Sequence, residues 1–468
     1  MPSRENPSLT ELLVDLISNE EAFLEEEWAT IGERAFVDTV GVTLAGSRQQ
    51  PVRILDATVE AGEGPVYSIA ASRPVASRDA ALLDGTSAHA LDLDDMDEAY
   101  IAHPSAVIFP ALWSIGQKVN ASGKDLLAAF RVGAITNRVI AAHLDITTHF
   151  GAGWHSTSTI GTVGGAAAVS RLLRADATGA RNALGIAGSL AAGSRQNFGT
   201  MVKPLHAGFA ASNAVLAAEL GIRGFTSNPE QLSGPIGFLE LFRGSSSRIK
   251  PTAEVVQRAF VASGFNIKRY PCCYRTHPAI EAAAELAGQI DLSEVTAINV
   301  TVQPAGLVPL IHHRPADGSE AKFSIEYTVA AALLDGDVFL SSFDESRVRR
   351  PEVQTLLKLV TATESASPPY GSPNWHESFA VVTVTTRDGR IFTARNDVPR
   401  GHTGAPLTEG QLRAKFEQCA GFEEQGVPDD VYRPLRALRA ERSIRTTIQL
   451  ISQVKLQDSE DEPCRVDR

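Results

Sequence analysis

One segment constrains the fold of this chain more than any other. Gly161-Thr-Val-Gly-Gly-Ala-Ala-Ala-Val-Ser-Arg-Leu-Leu173 is rich in small residues and apolar almost all round. A helix of this kind is normally buried in the middle of a bundle, because none of its faces suits contact with water. Outside a membrane, the segment therefore predicts a large helical domain that surrounds it.

Helical periodicity extends well beyond this segment. From residue 9 to about residue 238 the pattern is mostly helical, and it returns in residues 408–419 and 430–438. The clearest further helices are predicted at residues 126–138, 177–192 and 209–220.

After about residue 266 the pattern changes from helix to strand. Residues 295–302 alternate with period two, and residues 379–386 and 391–394 flank Arg387-Asp-Gly-Arg390. An Asp-Gly pair between two strand-like runs is a strong hairpin signal. A helix is predicted between these strands, at residues 325–334.

These patterns predict a mainly α fold with two domains. The large helical domain comprises residues 1–265 plus 399–456, and a smaller α/β domain is inserted over residues 266–398. The polar tail, residues 457–468, is predicted to be disordered.

The charge balance limits the possible partners. Against 43 Lys and Arg stand 55 Asp and Glu, a formal net charge of -12, and no basic run interrupts this excess. Nucleic acid is excluded as a default partner, since its binding needs a basic surface. A small acidic substrate would need a pocket with a local charge opposite to that of the whole chain.

The cysteines and the absence of long apolar runs predict where the protein acts. Four cysteines in 468 residues, two of them adjacent at Cys272 and Cys273, form neither a disulfide framework nor a zinc knuckle. There is no apolar signal core near the N-terminus and no run of about 18 apolar residues. We therefore expect a soluble cytoplasmic protein that is not bound to a membrane.

The common cofactor and nucleophile motifs are absent. The sequence has no GxGxxG before a helix, no P-loop, no GxSxG and no HExxH. The remaining chemistry to consider is proton transfer by His, Lys and Asp on a small substrate.

An acidic run precedes the first candidate, His103. Acidic residues at 92, 94, 95, 97 and 98 lead to His103-Pro104-Ser105. A carboxylate and an imidazole could converge on a pocket at a helix start, where a Ser105 cap and free N–H groups also suit an anion. The alternatives are a solvated acidic loop and a divalent cation held by the aspartates.

Two further candidates flank the glycine- and alanine-rich helix. His155 follows Gly151 and Gly153 and precedes the buried segment, so it is either a residue at a shaped binding surface or a helix cap. Lys203 lies among apolar neighbours just before His206. It is either a surface lysine or, in a pocket, a cation for a carboxylate or a base.

The stretch from Lys268 to His277 has the greatest chemical variety in the chain. It combines three cations, two tyrosines including Tyr274, two thiols and a histidine at the predicted domain boundary. Clefts between domains are preferred ligand sites, so we expect Lys268, Tyr274 and His277 to bind substrate. We place the local positive charge on Lys203, Lys268, Arg269, Arg275 and His277.

Several of these motifs together resemble the MmgE/PrpD family, over about residues 9–438. That family includes 2-methylcitrate dehydratase, cis-aconitate decarboxylase and iminodisuccinate epimerase. The matching motifs are Leu91-Asp-Leu-Asp-Asp with His103-Pro-Ser105, Gly153-Trp-His155-Ser-Thr157, Lys203-Pro-Leu-His206-Ala-Gly208, Tyr270-Pro-Cys-Cys with His277, Glu320-Ala-Lys-Phe-Ser324 and Lys415-Phe416.

The resemblance implies a large helical domain with an inserted α/β lid, a homodimer, and catalysis without a metal or an organic cofactor. It implies active-site roles for Asp92, His103, His155, Lys203 and His277. The expected substrate is a small anionic di- or tricarboxylate, and the expected chemistry is the making or breaking of a bond next to a carboxylate.

Two departures from the family pattern bear on the reaction. Met96 stands where the family commonly has Thr or Ser, and no tyrosine precedes Arg314-Pro315, where Leu310, Ile311 and two histidines stand. These departures weaken the decarboxylase signature. The leading hypothesis is therefore a hydro-lyase of the 2-methylcitrate dehydratase type, and the alternatives are an iminodisuccinate-type epimerase, a cis-aconitate decarboxylase and an inactive binding homologue.

Overall fold

A computed structural model describes residues 8–18, 25–60, 64–370, 378–422 and 424–454 of the chain. Helices dominate it. In chain order they are α1 Leu9–Ser18, α2 Glu26–Gly46, α3 Gln50–Thr58, α4 Ser77–His89, α5 Ser105–Val119, α6 Gly123–Ala142, α7 Ile146–Gly151, α8 Ser156–Leu172, α9 Ala177–Leu190, α10 Val202–Ile222, α11 Phe238–Phe242, α12 Ala253–Arg258, α13 His277–Leu286, α14 Gly318–Ala321, α15 Ile325–Asp335, α16 Glu345–Val348, α17 Pro351–Leu356, α18 Glu409–Ala420, α19 Asp429–Arg436 and α20 Ile444–Ser452.

The small-residue segment forms α8, at the centre of the helical part. Nearly every residue of α8 is buried, and the helix packs against α5, α6, α9 and α10. Small residues are required at these contacts. A Cβ on Gly164 of α8 would lie 1.9 Å from the Asn137 Oδ1 atom of α6. The same holds where α10 meets α4, since a Cβ on Gly208 would lie 2.3 Å from the Leu82 carbonyl oxygen.

The strands form one two-stranded and one four-stranded sheet in the described part of the chain. They are β1 Val66–Ser68, β2 Arg73–Val75, β3 Val295–Val302, β4 Val360–Glu364, β5 Ala380–Thr386 and β6 Ile391–Asn396. The larger sheet has the order β4-β3-β5-β6, with β3 parallel to β4 and antiparallel to β5, and with β5 and β6 joined as a hairpin. Ile298 pairs with both Val360 and Val384.

Two large hydrophobic clusters hold these elements together. One is built from buried side chains between Leu9 and Ile267 and between Leu407 and Ile451. The other comprises side chains between Tyr270 and Ala394, joined by Phe150 and Phe198 of the helical part. The division into two domains stays a prediction, but each side of the predicted boundary has its own core.

Long helix α10 is the one described helix long and apolar enough to span a membrane by length and composition. Most of it is buried against α4, α8 and α9, as is typical of a core helix.

The mainly α prediction is confirmed, and so are the predicted strands of β3, β5 and β6. The strands β1, β2 and β4 were not predicted from the sequence. The predicted disordered tail, residues 457–468, lies outside the described residues.

Candidate active site

The site is built around Asp92, in the loop that joins α4 to α5. Asp92 has a φ of 54°, in the left-handed region that non-glycine residues rarely adopt. Lys268 holds this conformation, because its Nζ donates to both the Asp92 carbonyl oxygen and Oδ1, each at 2.8 Å. Backbone strain of this kind persists only where the surrounding structure enforces it.

Two buried ammonium groups contact the same carboxylate oxygen. Lys203 Nζ, from the first turn of α10, lies 2.9 Å from Asp92 Oδ1, and Lys268 Nζ lies 2.8 Å from it. Burial alone would raise the pKa of Asp92, but Lys203 and Lys268 hold it well below its usual range. One carboxylate thus stands between two cations, which leaves the trio with a net positive charge.

His89, the last residue of α4, connects this trio to Asp94. Its Nδ1 lies 2.9 Å from Asp94 Oδ2, and its Nε2 lies 2.8 Å from Lys203 Nζ. Burial lowers the pKa of His89 to about 3, so the ring is neutral. We therefore assign the proton to Nδ1, which donates to Asp94, while Nε2 accepts a hydrogen bond from Lys203.

His103 and His155 bring two further imidazoles to the site. His103 Nδ1 lies 2.9 Å from the Asp95 carbonyl oxygen, which leaves Nε2, 3.6 Å from Asp92 Oδ1, as the free nitrogen. His155 Nδ1 lies 3.1 Å from His206 Nδ1. Burial lowers the pKa of both His103 and His155. Both rings therefore lack a charge in the unliganded site and can accept a proton.

The acidic run is buried rather than solvated. Asp92, Asp94 and Asp95 are each at most 4% exposed, so the alternative of a solvated loop is wrong for these three residues. The predicted Ser105 cap is also wrong. Ser105 is the first residue of α5 and does not cap it, because its hydroxyl donates to the Asp95 carboxylate.

A cavity of about 260 Å³ opens beside these groups. Cationic side chains and imidazoles form part of its lining, and most of the other lining side chains are apolar. Its lining residues are Asp92, Met96, Ile101, His103, Thr147, Phe150, Gly151, His155, Phe198, Lys203, Lys268, Cys273, Tyr274, Arg275, Pro304, Ala305, Val308, Pro309 and Phe323.

Comparisons with known proteins identify the family of this chain. Residues 22–248 match the MmgE/PrpD N-terminal domain, and residues 270–427 match the MmgE/PrpD C-terminal domain. The chain belongs to the MmgE/PrpD family. The family prediction is thereby confirmed.

Relatives of this MmgE/PrpD chain include three proteins named cis-aconitate decarboxylase. The human protein is 30% identical over 400 residues, covering 83% of this chain and 82% of the relative. The mouse protein is 31% identical over 359 residues, covering 73% of this chain and 71% of the relative. The Aspergillus terreus protein is 28% identical over 368 residues, covering 73% and 74%.

Most of the predicted site residues meet at the cavity of this MmgE/PrpD protein. Asp92, His103, His155, Lys203, Lys268 and Tyr274 line it. His277 does not, and its buried ring packs 5.1 Å from the ring of Tyr270 and 4.9 Å from that of Tyr274. The contact of His277 with substrate stays a prediction.

The other residues of the stretch from Lys268 to His277 differ in whether they line the cavity. Cys273 lines the cavity, and burial raises the pKa of its thiol. Arg275 also lines the cavity, whereas Arg269 does not and instead pairs with Asp337 at 2.7 Å. His89 was not predicted at all, although its place three residues before Asp92 was a usable signal.

The two departures from the family pattern differ in their distance from the cavity. Met96 forms part of its wall and is only 4% exposed. Leu310 and Ile311 are not among its lining residues, although the preceding Val308 and Pro309 are. The missing hydroxyl at Met96 therefore bears directly on the pocket.

A metal ion was an alternative for the aspartate cluster. Potential ligand atoms of His89, Asp92, Asp94 and His103 all lie within 4.8 Å of one another. However, Asp92 Oδ1 and His89 Nε2 already accept hydrogen bonds from Lys203, and Lys268 adds a second positive charge. These charges would repel a divalent ion, so the donor set suits the two ammonium groups better.

Proposed function

We propose that this chain is a cofactor-independent lyase that releases CO2 from a small aconitate-like tricarboxylate. The observation that carries the proposal is the buried Asp92 carboxylate held between Lys203 and Lys268, at the edge of a cavity lined by His103 and His155. The similarity to cis-aconitate decarboxylases over most of the chain supports this reaction above the other reactions of the family.

The two lysines are suited to hold a carboxylate of the substrate. An ammonium group has three donors. Lys203 uses two of them, on Asp92 and His89, and Lys268 uses two on Asp92. Each lysine therefore retains one donor for which the described residues supply no acceptor. A substrate carboxylate would accept both and would complete the charge balance of the site.

The proposed reaction moves two electron pairs. The bond between the leaving carboxylate and its carbon breaks, and its electron pair forms a new double bond. The former alkene pair takes a proton, so one proton is consumed for each CO2 released. The ammonium groups of Lys203 and Lys268 stabilise the negative charge that develops next to the bound carboxylate.

We assign the proton transfer to His103. Its Nε2 is free of hydrogen bonds to the described residues and lies at the cavity. The ring is neutral without a ligand, but three carboxylates bound beside it would raise its pKa. Substrate binding thus converts His103 from a base into an acid that can donate the required proton.

The test is incubation of the purified protein with cis-aconitate, followed by proton NMR and measurement of released CO2. We expect CO2 and a dicarboxylate alkene, with one solvent deuterium at the former alkene carbon in D2O. Replacement of His103 by Gln should lower kcat by about 10²–10⁴-fold. Unchanged cis-aconitate after prolonged incubation with the wild-type protein would refute the proposal.

A dehydratase of the 2-methylcitrate type is the second candidate. The observation in its favour is the neutral state of His103, since dehydration begins with the removal of a proton by a base. Loss of water from 2-methylcitrate or citrate in the same NMR assay would support it. Deuterium exchange at a stereocentre without alkene formation would instead support the epimerase, and binding without turnover the inactive homologue.

We further propose that the protein is a homodimer that associates through α10. Val202 and Phe209 are exposed apolar side chains of this helix. They are seven residues apart, which places them on the same face. Large exposed apolar side chains that share one helix face are a candidate protein interface. A second copy would cover this face while leaving the buried face of α10, with Lys203, unchanged.

A further inference from the structure

We propose that Tyr274 and Arg275 form a second carboxylate-binding pole in the cavity. The substrate would then be a polycarboxylate whose second carboxylate is joined to the first by a hydrocarbon segment. This inference rests on the proposed function for the first pole, Lys203 with Lys268. Tyr274 and Arg275 would select the part of the substrate that lies beyond the first carboxylate.

The first observation concerns the hydroxyl of Tyr274. Tyr274 is 4% exposed and lines the cavity, yet its buried hydroxyl has no hydrogen-bond partner among the described residues. Buried hydroxyls are nearly always paired in native proteins, because an unpaired one loses its hydrogen bonds to water without replacement. Burial also raises the pKa of Tyr274, so the group remains a donor. A ligand acceptor in the cavity would satisfy it.

The second observation concerns the guanidinium of Arg275. Arg275 lines the same cavity, and within the described ranges no carboxylate forms an ion pair with it. The neighbouring arginines differ, since Arg269 pairs with Asp337 at 2.7 Å and Arg400 with Glu281 at 2.8 Å. The positive charge of Arg275 contributes to lowering the pKa of Glu98, but no ion pair joins these two side chains, and Glu98 Oε2 lies 3.4 Å from His402 Nε2. Arg275 is therefore available to bind an anion.

The remainder of the wall indicates what joins the two carboxylates. Beyond the two poles and the groups beside the first pole, Asp92, His103, His155 and Cys273, the side chains of the wall are apolar apart from Thr147. They include Ile101, Phe150, Phe198 and Phe323. A hydroxyl on the connecting carbons would lose its hydrogen bonds to water against such a surface. The wall therefore favours a hydrocarbon link, as in aconitate-like acids, over a hydroxylated one.

Calorimetric titration with tricarballylate, a saturated tricarboxylate, tests the second pole without catalysis. Arg275→Gln should raise the Kd for tricarballylate by about ten- to a hundredfold, and Tyr274→Phe should raise it by about fivefold or more. Each substitution leaves a carboxylate of the ligand with fewer hydrogen-bond donors. Binding of propionate, which has one carboxylate, should stay within about twofold of wild type. Thermal unfolding should be unchanged in Tyr274→Phe, since its hydroxyl has no partner in the protein.

The neighbouring residues supply matched controls. Arg269→Gln removes an arginine of the same stretch that does not line the cavity, and Tyr270→Phe removes a hydroxyl that is bonded to Arg400. Both should retain the wild-type Kd for tricarballylate.

The two proposals fail in different ways. Equal tricarballylate affinity in wild type, Arg275→Gln and Tyr274→Phe would overturn the second pole while the lyase reaction stood. Weakened binding in both variants, together with no turnover of cis-aconitate by the wild type, would support the second pole and refute the lyase reaction.

Discussion

At the scale of single residues, Asp92 is held in place by two different interactions. Its side chain is buried and its backbone is in the left-handed region, so both its charge and its conformation need compensation. Lys268 compensates both, because its ammonium contacts the carbonyl and the carboxylate. Asn tolerates the left-handed conformation as Asp does, so an Asn at this position isolates the effect of the charge.

We expect Asp92→Asn to destabilise the protein and abolish activity. Without the carboxylate, the buried ammonium groups of Lys203 and Lys268 repel each other, and their shared acceptor no longer carries a compensating negative charge. Loss of one partner from a buried ion pair costs about 3–5 kcal/mol, which urea unfolding at pH 7 should detect. The exposed Glu285→Gln on α13 is the control, with a change of at most about 0.5 kcal/mol. Equal stability of wild type and Asp92→Asn would contradict this account of the charge balance.

Neutral buried histidine makes the protein sensitive to acid. Burial lowers the pKa of His277 to about 3, while an unfolded chain has a histidine pKa of about 6.5. Between these values the unfolded state binds a proton that the folded state does not, so stability falls as the pH falls below about 6.5. Substitution by Leu removes this contribution.

The loss of unfolding free energy between pH 7 and pH 5 should therefore be about 2 kcal/mol smaller in His277→Leu than in wild type. Urea titrations of both proteins at the two pH values measure it. An identical loss in both proteins would show that the ring of His277 is accessible to protons in the folded state.

The sequence predicted which types of residue form the site better than it predicted which individual side chains line the cavity. The motifs singled out four residues that line the cavity, because each lies in a distinctive local pattern: Asp92, His103, His155 and Lys203. The sequence did not show that Cys273 lines the cavity and that His277 does not. A change in the direction of the backbone between these two residues decides which side chain reaches the cavity. The 3-10 turn Tyr274–Thr276, which directly precedes α13, makes that change.

Secondary structure was predictable where one face of an element is buried. Strand β3 alternates because Ile298, Val300 and Val302 are buried and the residues between them are not. Strand β4 lies at the edge of the sheet, where only Val360 is buried and the remaining residues are polar or small. It therefore has no alternation to detect, and its parallel pairing with β3 depends on tertiary contacts.

The close contact of α10 with α4 depends on Gly208. A Cβ at this position would lie 2.3 Å from the Leu82 carbonyl oxygen and 2.1 Å from Thr86 Oγ1, and a backbone atom cannot move aside without shifting the helix. We expect Gly208→Ala to lower the free energy of unfolding by about 1–3 kcal/mol. It should also reduce activity, since the same helix positions Lys203 near its start.

Gly410, in the first turn of α18, is the matched control. A Cβ there would meet nothing within 4 Å, so Gly410→Ala should be neutral or stabilising by up to about 1 kcal/mol. A Gly208→Ala protein as stable as Gly410→Ala would show that α10 and α4 can separate without loss.

For the whole molecule, the net charge of -12 and the preference for an anionic substrate are compatible. The surface carries the acidic excess, while Lys203 and Lys268, each at most 4% exposed, are removed from it. Charges in solvent are screened beyond about 8–10 Å at physiological salt, whereas buried charges are screened much less. The cavity can thus attract carboxylates that the outer surface repels.

The exposed face of α10 yields a prediction about assembly. If a second copy covers this face, a charge at Phe209, which is 49% exposed, should separate the subunits, because an unpaired carboxylate cannot be buried in an apolar contact. We expect wild type to elute as a dimer and Phe209→Asp as a monomer in size-exclusion chromatography with light scattering. Ile391→Asp, on the exposed side of β6, adds the same charge elsewhere and should remain dimeric. Equal masses for wild type and Phe209→Asp would exclude α10 as the interface.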